Sequence, residues 1–390
     1  MGLGFGCGDG TAGVGLVGVG VEGLAISVSR ALGVPGAAGT VIVGIIRADK
    51  RMAIVAGIDL GGTAVNFTLL DSAGGQFLLD GLCEHPALST QGPDVCLEQI
   101  ADGLEMAAQK GSVPLADIVA VGLDTPGPAS GEGVLSARGS TNFAHPAWAG
   151  FDLRGQLARR LQRRVVYLND GNAAALWGHT ALFGSDEPAT SISVIIGTGT
   201  GGGIVVDGRL LTGRHGFGGE VGHVLIPWRS IPGLEDLEPP CNCGRTGDLE
   251  SLCSLTAIRQ TLLPHFLRRD PGHPLHGVEP AKAAVRVRGL ADGGDAMALE
   301  IFRVQARALG LFVDQMINVF DPDAFLIGGG AMEASRAFCD WFISEVRAGM
   351  PVQREEQVPR IELMPDGDTA GARGAALEAV RVFGLRGPRA

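Results

Sequence analysis

Lysine is scarce in this chain of 390 residues. Lys50, Lys110 and Lys282 are the only lysines among 31 basic residues, and acidic residues number 42. The formal net charge of −11 argues against a nucleic-acid-binding surface. An anionic ligand must therefore be held by local hydrogen-bond donors or by a metal ion. We interpret the preference for arginine as coding bias.

Further absences narrow the class of protein. The sequence contains no Gly-x-x-x-x-Gly-Lys-[Ser/Thr] P-loop. Its start lacks the charged segment of a secretory signal, and glycines and Glu22 interrupt the apolar residues 14–28, so we expect no membrane span. Seven cysteines, an odd number, fit reduced thiols in the cytoplasm better than a disulfide framework. With 45% hydrophobic and 19% charged residues, the chain is expected to be globular, with two to three domains.

Residues 192–206 are the most informative stretch. An apolar strand leads into Gly197-Thr198-Gly199-Thr200-Gly201-Gly202-Gly203, and residues 204–206 resume as a second strand. Glycine lets backbone N–H groups approach an anion closely, and threonine adds hydroxyl donors. The stretch predicts a phosphate-binding hairpin, with a merely flexible Gly-rich hairpin as the alternative.

A second stretch has the same build. Asp59-Leu60-Gly61-Gly62-Thr63 follows an apolar strand over residues 53–58 and precedes another over 64–70. Two hairpins of the phosphate-binding type, well separated in the chain, indicate a duplicated nucleotide-binding architecture.

These hairpins belong to an ordered set of motifs. The others are Asn169-Asp170, Gly219-Glu220-Val221-Gly222-His223, Cys241-Asn242-Cys243-Gly244, Glu250 and Gly328-Gly329-Gly330. Over residues 53–384 the set resembles the ROK family of sugar kinases and sugar-responsive repressors, within the actin-like, hexokinase-like ATPase superfamily. The resemblance implies an α/β fold of two actin-like (ribonuclease-H-like) ATPase domains with a ligand cleft between them.

The same resemblance implies the domain boundaries. Residues 1–51 hold 14 glycines and are expected to be a disordered leader or a mis-called start before Met52; a genuine extension is the alternative. Residues 53–168 would form the N-terminal actin-like domain, completed by a helix over 370–384. Residues 169–369 would form the C-terminal domain, with a zinc-type loop at 223–250.

Hydrophobic patterns predict the main elements. Strands are expected at 53–58, 64–70, 77–84, 118–123, 165–168 and 324–327. Helices are expected at 92–110, 153–161, from 173 onward, and at 251–263, 296–319 and 370–383.

The resemblance implies an ATP site with Mg²⁺. Asp59 would hold the ion, through water, and Gly329 would lie under the adenine. The phosphate donors would come from both hairpins: Gly61, Gly62, Thr63, Thr198, Gly199, Thr200 and Gly201. Because no lysine lies beside either loop, the ion must neutralise phosphate charge.

Asp170 is the candidate general base. It follows a strand and precedes a helix, and a carboxylate within reach of a sugar hydroxyl can take its proton. The alternative is that Asp170 is an N-cap residue. The resemblance assigns Asn142, Asn169, Asp170, Glu220, His223 and Glu250 to the sugar, although Asn142 also suits an Asx turn.

The cysteine region departs from the family pattern. Family kinases bind structural zinc through a histidine and three cysteines, and the last cysteine is replaced here by Asp248. Because zinc accepts carboxylate oxygen, a site of His223, Cys241, Cys243 and Asp248 is chemically feasible. Cys253 is a second candidate for the fourth ligand, and loss of the metal is the alternative.

The expected function is ATP-dependent phosphorylation of a hexose, with glucose 6-phosphate as the leading product. The alternatives are kinases for N-acetylmannosamine, N-acetylglucosamine, fructose or allose, and a catalytically silent sugar-binding protein. A ROK repressor is disfavoured because the 58 residues before Asp59 are Gly-rich and poor in basic side chains. We expect a cytoplasmic homodimer or homotetramer that binds sugar and nucleotide, with no nucleic-acid or membrane partner.

Overall fold

The computed structural model describes residues 24–30, 41–47, 53–136, 143–185, 187–351 and 359–385. Contacts divide the chain into two units, Met1–Met52 and Ala53–Ala390. In the first unit, strands β1 (Leu24–Arg30) and β2 (Val41–Arg47) form an antiparallel pair.

The second unit contains two sheets. The first has the order β5-β4-β3-β7-β8, with β6 also paired to β4. Its strands are β3 (Ile54–Leu60), β4 (Ala64–Asp71), β5 (Gln76–Phe77), β6 (Glu84–Pro86), β7 (Ile118–Thr125) and β8 (Arg164–Asn169). Strands β3, β7 and β8 are parallel, so their carboxyl ends meet at one edge of the sheet.

The second sheet has the order β11-β10-β9-β12-β13. Its strands are β9 (Ser191–Ile196), β10 (Thr200–Val206), β11 (Arg209–Leu210), β12 (Ala324–Gly328) and β13 (Arg360–Leu363). Strands β9 and β10 form the central hairpin, and β12 runs parallel to β9.

Helices surround and join the two sheets. They are α1 (Pro93–Lys110), α2 (Leu153–Leu161), α3 (Asp170–Phe183), α4 (Leu255–Ala257), α5 (Leu263–Leu267), α6 (Pro280–Asp292), α7 (Ala296–Phe320), α8 (Arg336–Ala348) and α9 (Ala370–Phe383). One apolar core lies around the second sheet and α7, and another lies between the first sheet and α1.

Helix α9 packs directly on the first sheet. Gly57 on β3 and Gly122 on β7 allow this approach, because a Cβ on either would lie 1.8 Å from a carbonyl oxygen of α9. Helix α9 also packs against α3, where a Cβ on Gly374 would lie 1.7 Å from the Ala173 carbonyl oxygen. Larger residues at these glycines would separate the helix from the sheet.

Three secondary-structure predictions were wrong. A continuous strand over 77–84 is absent, since only residues 76–77 and 84–86 pair with β4. The helix predicted at 251–263 begins at Leu255, because turns cover 251–254, and continues through a π-helical segment, Ile258–Leu262. Helix α3 begins at Asp170 rather than at 173.

The remaining predicted helices, at 92–110, 153–161, 296–319 and 370–383, are confirmed to within a residue at each end. Within the described residues, no helix combines the length and apolar character needed to cross a membrane. The six cysteines of this part of the chain, from Cys83 to Cys339, are all free thiols.

Candidate active site

A cleft of about 1910 Å³ opens at the carboxyl ends of β3, β7 and β8 and reaches the β9–β10 hairpin. Its volume exceeds that of a typical single-ligand pocket, so it has room for two ligands. Seven carboxylate residues line it, against Arg214, Arg245 and His223 as the basic ones. The acidic lining means that an anion in this cleft requires a metal ion or backbone donors.

Asp170 lies in this cleft as the first residue of α3. The N-cap is Asn169, whose side chain accepts from the Gly171 N–H at 3.0 Å. Asp170 Oδ1 accepts from the same N–H at 2.7 Å. Burial raises the pKa of Asp170, although these backbone and Asn169 hydrogen bonds oppose the rise. A carboxylate with a raised pKa is better suited to accept a proton near neutral pH.

Asp59 lies near the end of β3 and is half-buried between the neighbouring strands. Burial and the charge of Asp170 raise its pKa to about 6, and a hydrogen bond from Asn66 opposes the rise. Asp59 faces Asn66 across the antiparallel pair and Asp124 across the parallel pair.

Asp124 is a cleft residue that was not among the residues predicted for the site. It is fully buried at the end of β7 and lines the cleft beside Asp59. Burial and the charges of Asp59 and Asp170 raise its pKa well above the usual value for an aspartate. The signal was present in the sequence: an acid, Asp124, ends a predicted buried strand, as Asp59 does.

The phosphate-type hairpin is shorter at its tip than the sequence suggested. Strand β10 already begins at Thr200, so Gly197, Thr198 and Gly199 form the turn. Gly202 and Gly203 instead provide close packing: a Cβ on Gly202 would lie 2.1 Å from the Ser193 carbonyl oxygen, and one on Gly203 would lie 2.7 Å from the Ala175 Cβ.

Thr200 differs from its predicted role, because its donors are engaged inside the protein. Its N–H donates to Glu250 Oε2 at 2.8 Å, and its hydroxyl donates to the Cys253 carbonyl oxygen. Thr198, Gly199 and Gly201 line the cleft alongside it.

Glu250 connects two parts of the site. Its Oε2 holds the Thr200 N–H of the hairpin, and its Oε1 accepts from the Cys241 thiol at 3.4 Å. Glu220, at the N-cap of the short helix Val221–His223, also faces the cleft. Burial raises the pKa of Glu220, while His223 lowers it.

His223, Cys241, Cys243 and Asp248 form one cluster, with their candidate ligand atoms all within 4.8 Å of one another. His223 Nδ1 lies 3.1 Å from Asp248 Oδ2 and 3.7 Å from Cys241 Sγ, and Cys243 Sγ lies 3.4 Å from Asp248 Oδ2. These separations suit a tetrahedral ion with bonds of about 2.0–2.3 Å.

The protonation of the cluster follows from its contacts. The hydrogen bond to Asp248 raises the pKa of His223, and burial raises the pKa of the Cys241 thiol. Burial pushes the pKa of Asp248 upward, but hydrogen bonds from His223, Cys241 and Ser251 bring it below its usual value. Asp248 is therefore an ionised carboxylate within the cluster.

Cys253 does not belong to this cluster. It is fully buried, and its thiol donates to the Gln305 carbonyl oxygen at 3.1 Å. The structure favours Asp248 over Cys253 as the fourth ligand because Asp248 already contacts His223 and Cys243.

The structure brings most of the predicted residues to the cleft, but not all of them. Those lining it are Asp59, Gly61, Asn169, Asp170, Thr198, Gly199, Thr200, Gly201, Glu220, His223, Cys243 and Glu250. Gly62, Thr63 and Gly329 are described but are not part of this lining. At Gly329 the backbone instead approaches Ile196, whose carbonyl oxygen would lie 2.5 Å from an added Cβ. Asn142 lies outside the described residues.

Two sheets of this topology, with a cleft at their strand ends, define an actin-like ATPase fold. The ROK family model matches residues 55–381. The chain belongs to the ROK family.

Individual relatives agree with this assignment. The chain is 33% identical to the glucokinase of Thermotoga maritima over 71% of its own length and 82% of the relative's. It is 30% identical to the N-acetyl-D-glucosamine kinase of Escherichia coli O9:H4, over 82% of its length and 97% of the relative's. The crystal structure of the ROK hexokinase from Thermus thermophilus superposes with a TM-score of 0.66 at 29% identity, covering 85% of this chain and 99% of that one.

Proposed function

We propose that this protein is an ATP-dependent sugar kinase that transfers the γ-phosphoryl group to a hexose hydroxyl, with glucose as the substrate and glucose 6-phosphate as the product. The observation that carries the proposal is the position of Asp170, in the same cleft as the hairpin turn at Thr198 and the polar group of Glu220 and His223. Similarity to a glucokinase supports the choice of sugar.

In this mechanism Asp170 accepts the proton of the attacking hydroxyl as the bond to phosphorus forms. The Gly171 N–H donates to the carboxylate and holds it in place, and the Asn169 side chain accepts from the same N–H as the N-cap of the helix. Glu220, Glu250 and the Nε2 atom of His223 hold the other sugar hydroxyls, with Asn142 as a further proposed ligand.

The nucleotide would lie between the two hairpins. Backbone N–H groups of Gly61, Gly62 and Thr63 on one side, and of Thr198, Gly199 and Gly201 on the other, would donate to the phosphates, with Gly329 beside the adenine. Asp59 would hold Mg²⁺, which supplies positive charge to the phosphates when bound. The cleft lining offers few cationic side chains to the nucleotide phosphates, so a metal ion would have to supply the positive charge.

A structural zinc ion would be held by His223, Cys241, Cys243 and Asp248. It would cross-link the Glu220 segment to the Glu250 segment and so align two sugar ligands. We also propose a cytoplasmic homodimer or homotetramer, with an N-terminal actin-like domain over 53–168 and 370–384 and a C-terminal one over 169–369.

A second candidate substrate is N-acetylglucosamine. The E. coli kinase for this sugar matches over 97% of its own length, so the whole catalytic domain is comparable. N-acetylmannosamine, fructose and allose are further members of the same substrate class.

The test is a coupled ADP-release assay with ATP against these hexoses, with Asp170→Asn as the blank and mass spectrometry of the product. We expect sugar-dependent ADP release, fastest with glucose. A parallel reaction with polyphosphate distinguishes the phosphoryl donor. ADP release independent of every sugar, with no sugar phosphate formed, would refute the proposal.

A further inference from the structure

Asp124 has an unusual environment for a buried acid. Its side chain is 0% exposed, and neither carboxylate oxygen has a hydrogen-bond donor. Leaving a buried charged group without a partner carries a large desolvation cost. A fold that keeps such a group at the wall of a cleft indicates that a ligand satisfies it there.

The neighbours of Asp124 are acidic. The charges acting on it come from Asp59 and Asp170, and its carboxyl group lies within hydrogen-bonding reach of that of Asp59. Two carboxylates both accept hydrogen bonds, so without a proton or a cation between them they repel one another.

The fold holds this pair in place. Asp59 and Asp124 occupy opposed positions on the parallel strands β3 and β7. Gly371, near the start of α9, covers both: a Cβ there would lie 3.0 Å from Asp59 Oδ2 and 3.2 Å from Asp124 Oδ1. The absence of a side chain at Gly371 lets both carboxylates lie close to the backbone of α9, and all three residues belong to the cleft lining.

We infer that Asp124 is a second carboxylate ligand, beside Asp59, for one divalent cation in the cleft. The inference rests on the proposed function for its purpose, since the ion would be the one that accompanies the nucleotide. Two carboxylates are a typical protein contribution to a Mg²⁺ site, with water and phosphate oxygens completing it. By helping to hold the cation, Asp124 would bring to the cleft the positive charge that the lysine-poor phosphate loops lack.

The test uses Mn²⁺ as the probe on the full-length protein without nucleotide, with the free ion measured by electron paramagnetic resonance. We expect Asp124→Asn to raise the Kd for Mn²⁺ about tenfold or more, because one charged ligand is lost. The matched control is Asp117→Asn, which removes an acid next to the other end of β7. It should leave the Kd unchanged.

Two further measurements keep the test decisive. The Asp124→Asn variant relieves the repulsion between Asp59 and Asp124, so its Tm without metal should equal or exceed that of the parent. Adding Mn²⁺ should raise its Tm by less than it raises the Tm of the parent. Asp59→Asn should also weaken binding, and combining both changes should cost less than the sum of the single effects, because they share one ion.

Unchanged Mn²⁺ affinity in a folded Asp124→Asn variant, or a parent protein that binds no Mn²⁺, would overturn the inference. Its failure is separable from failure of the kinase proposal. If the parent phosphorylates a sugar but Asp124→Asn leaves the Mn²⁺ affinity unchanged, only the role of Asp124 as a metal ligand is refuted. If Mn²⁺ binding depends on Asp124 but no sugar is phosphorylated, only the kinase proposal is refuted.

Discussion

At the scale of single residues, Asp170 is accessible from the cleft and has a raised pKa. It lines the cleft, and burial raises its pKa even though the Gly171 N–H stabilises its charge. A base must be deprotonated to act, so kcat/KM should fall as the pH drops through this raised pKa. That acid limb should lie above the range of an ordinary aspartate.

The first prediction is that Asp170→Asn lowers kcat by about 10²-fold or more, because the amide cannot accept the proton. ATP binding should be nearly unchanged, since both hairpins are intact. The control is Asp94→Asn, an exposed acid in the first turn of α1. Near-normal turnover in Asp170→Asn would contradict Asp170 as the general base and make Glu220 the next candidate.

At the scale of elements, Glu250 joins the cysteine loop to the phosphate hairpin. The contact from its Oε2 to the Thr200 N–H means that it shapes the hairpin as well as lining the cleft. The family resemblance implied only a sugar-binding role for Glu250.

The second prediction follows from this double contact. Glu250→Ala should raise the KM for ATP as well as for the sugar, each by about tenfold, because a charge-assisted hydrogen bond to the hairpin is lost. Steady-state kinetics with each substrate varied would measure both. Glu238→Ala, on the exposed part of the same loop, is the control. An increase confined to the sugar KM would contradict the hairpin role.

The third prediction concerns the metal cluster. Elemental analysis should find about one zinc per chain. A chelator should remove it more easily than from a three-cysteine relative, since oxygen is a harder ligand than sulfur. Asp248→Cys should therefore retain the ion more tightly.

Kinetics provide an independent measure of the same cluster. Cys243→Ser should raise the KM for the sugar more than the KM for ATP. The control is Cys339→Ser, which changes a cysteine that is not part of the cluster. Metal-free protein with full activity would show that zinc does not align Glu220 and Glu250.

At the scale of the whole molecule, contacts group residues 53–390 into one compact unit and residues 1–52 into another. The fourth prediction is that a protein started at Met52 matches the full-length chain in Tm and turnover, because the cleft residues all lie in the later unit. Differential scanning calorimetry and the ADP-release assay would compare the two. A loss of several degrees in Tm would show that the first unit stabilises the second.

Local sequence patterns were sufficient to predict those helices and strands whose own residues show a hydrophobic periodicity. The helices α1, α2, α7 and α9 have apolar residues at helical spacing, and the strand before Asp59 is uniformly apolar. The two Gly-Thr hairpins, with Asp170 and the cysteine loop, carried the family resemblance. The short strands β5 and β6 lacked such a signal, because pairing with β4 defines them and a single strand cannot show its partner.

The sequence by itself determined the family, the order of the main elements and twelve residues of the cleft lining, since these depend on motifs of a few neighbouring positions. The tertiary structure decided how those residues are used. Pairing of β3 with β7 placed Asp124 beside Asp59, and the fold of the cysteine loop brought Glu250 onto the Thr200 amide. Close packing on β9 at Gly202 and on α3 at Gly203 gave these two glycines a role that their spacing did not show. Each of these outcomes depends on contacts between segments distant in the chain, which a local pattern cannot encode.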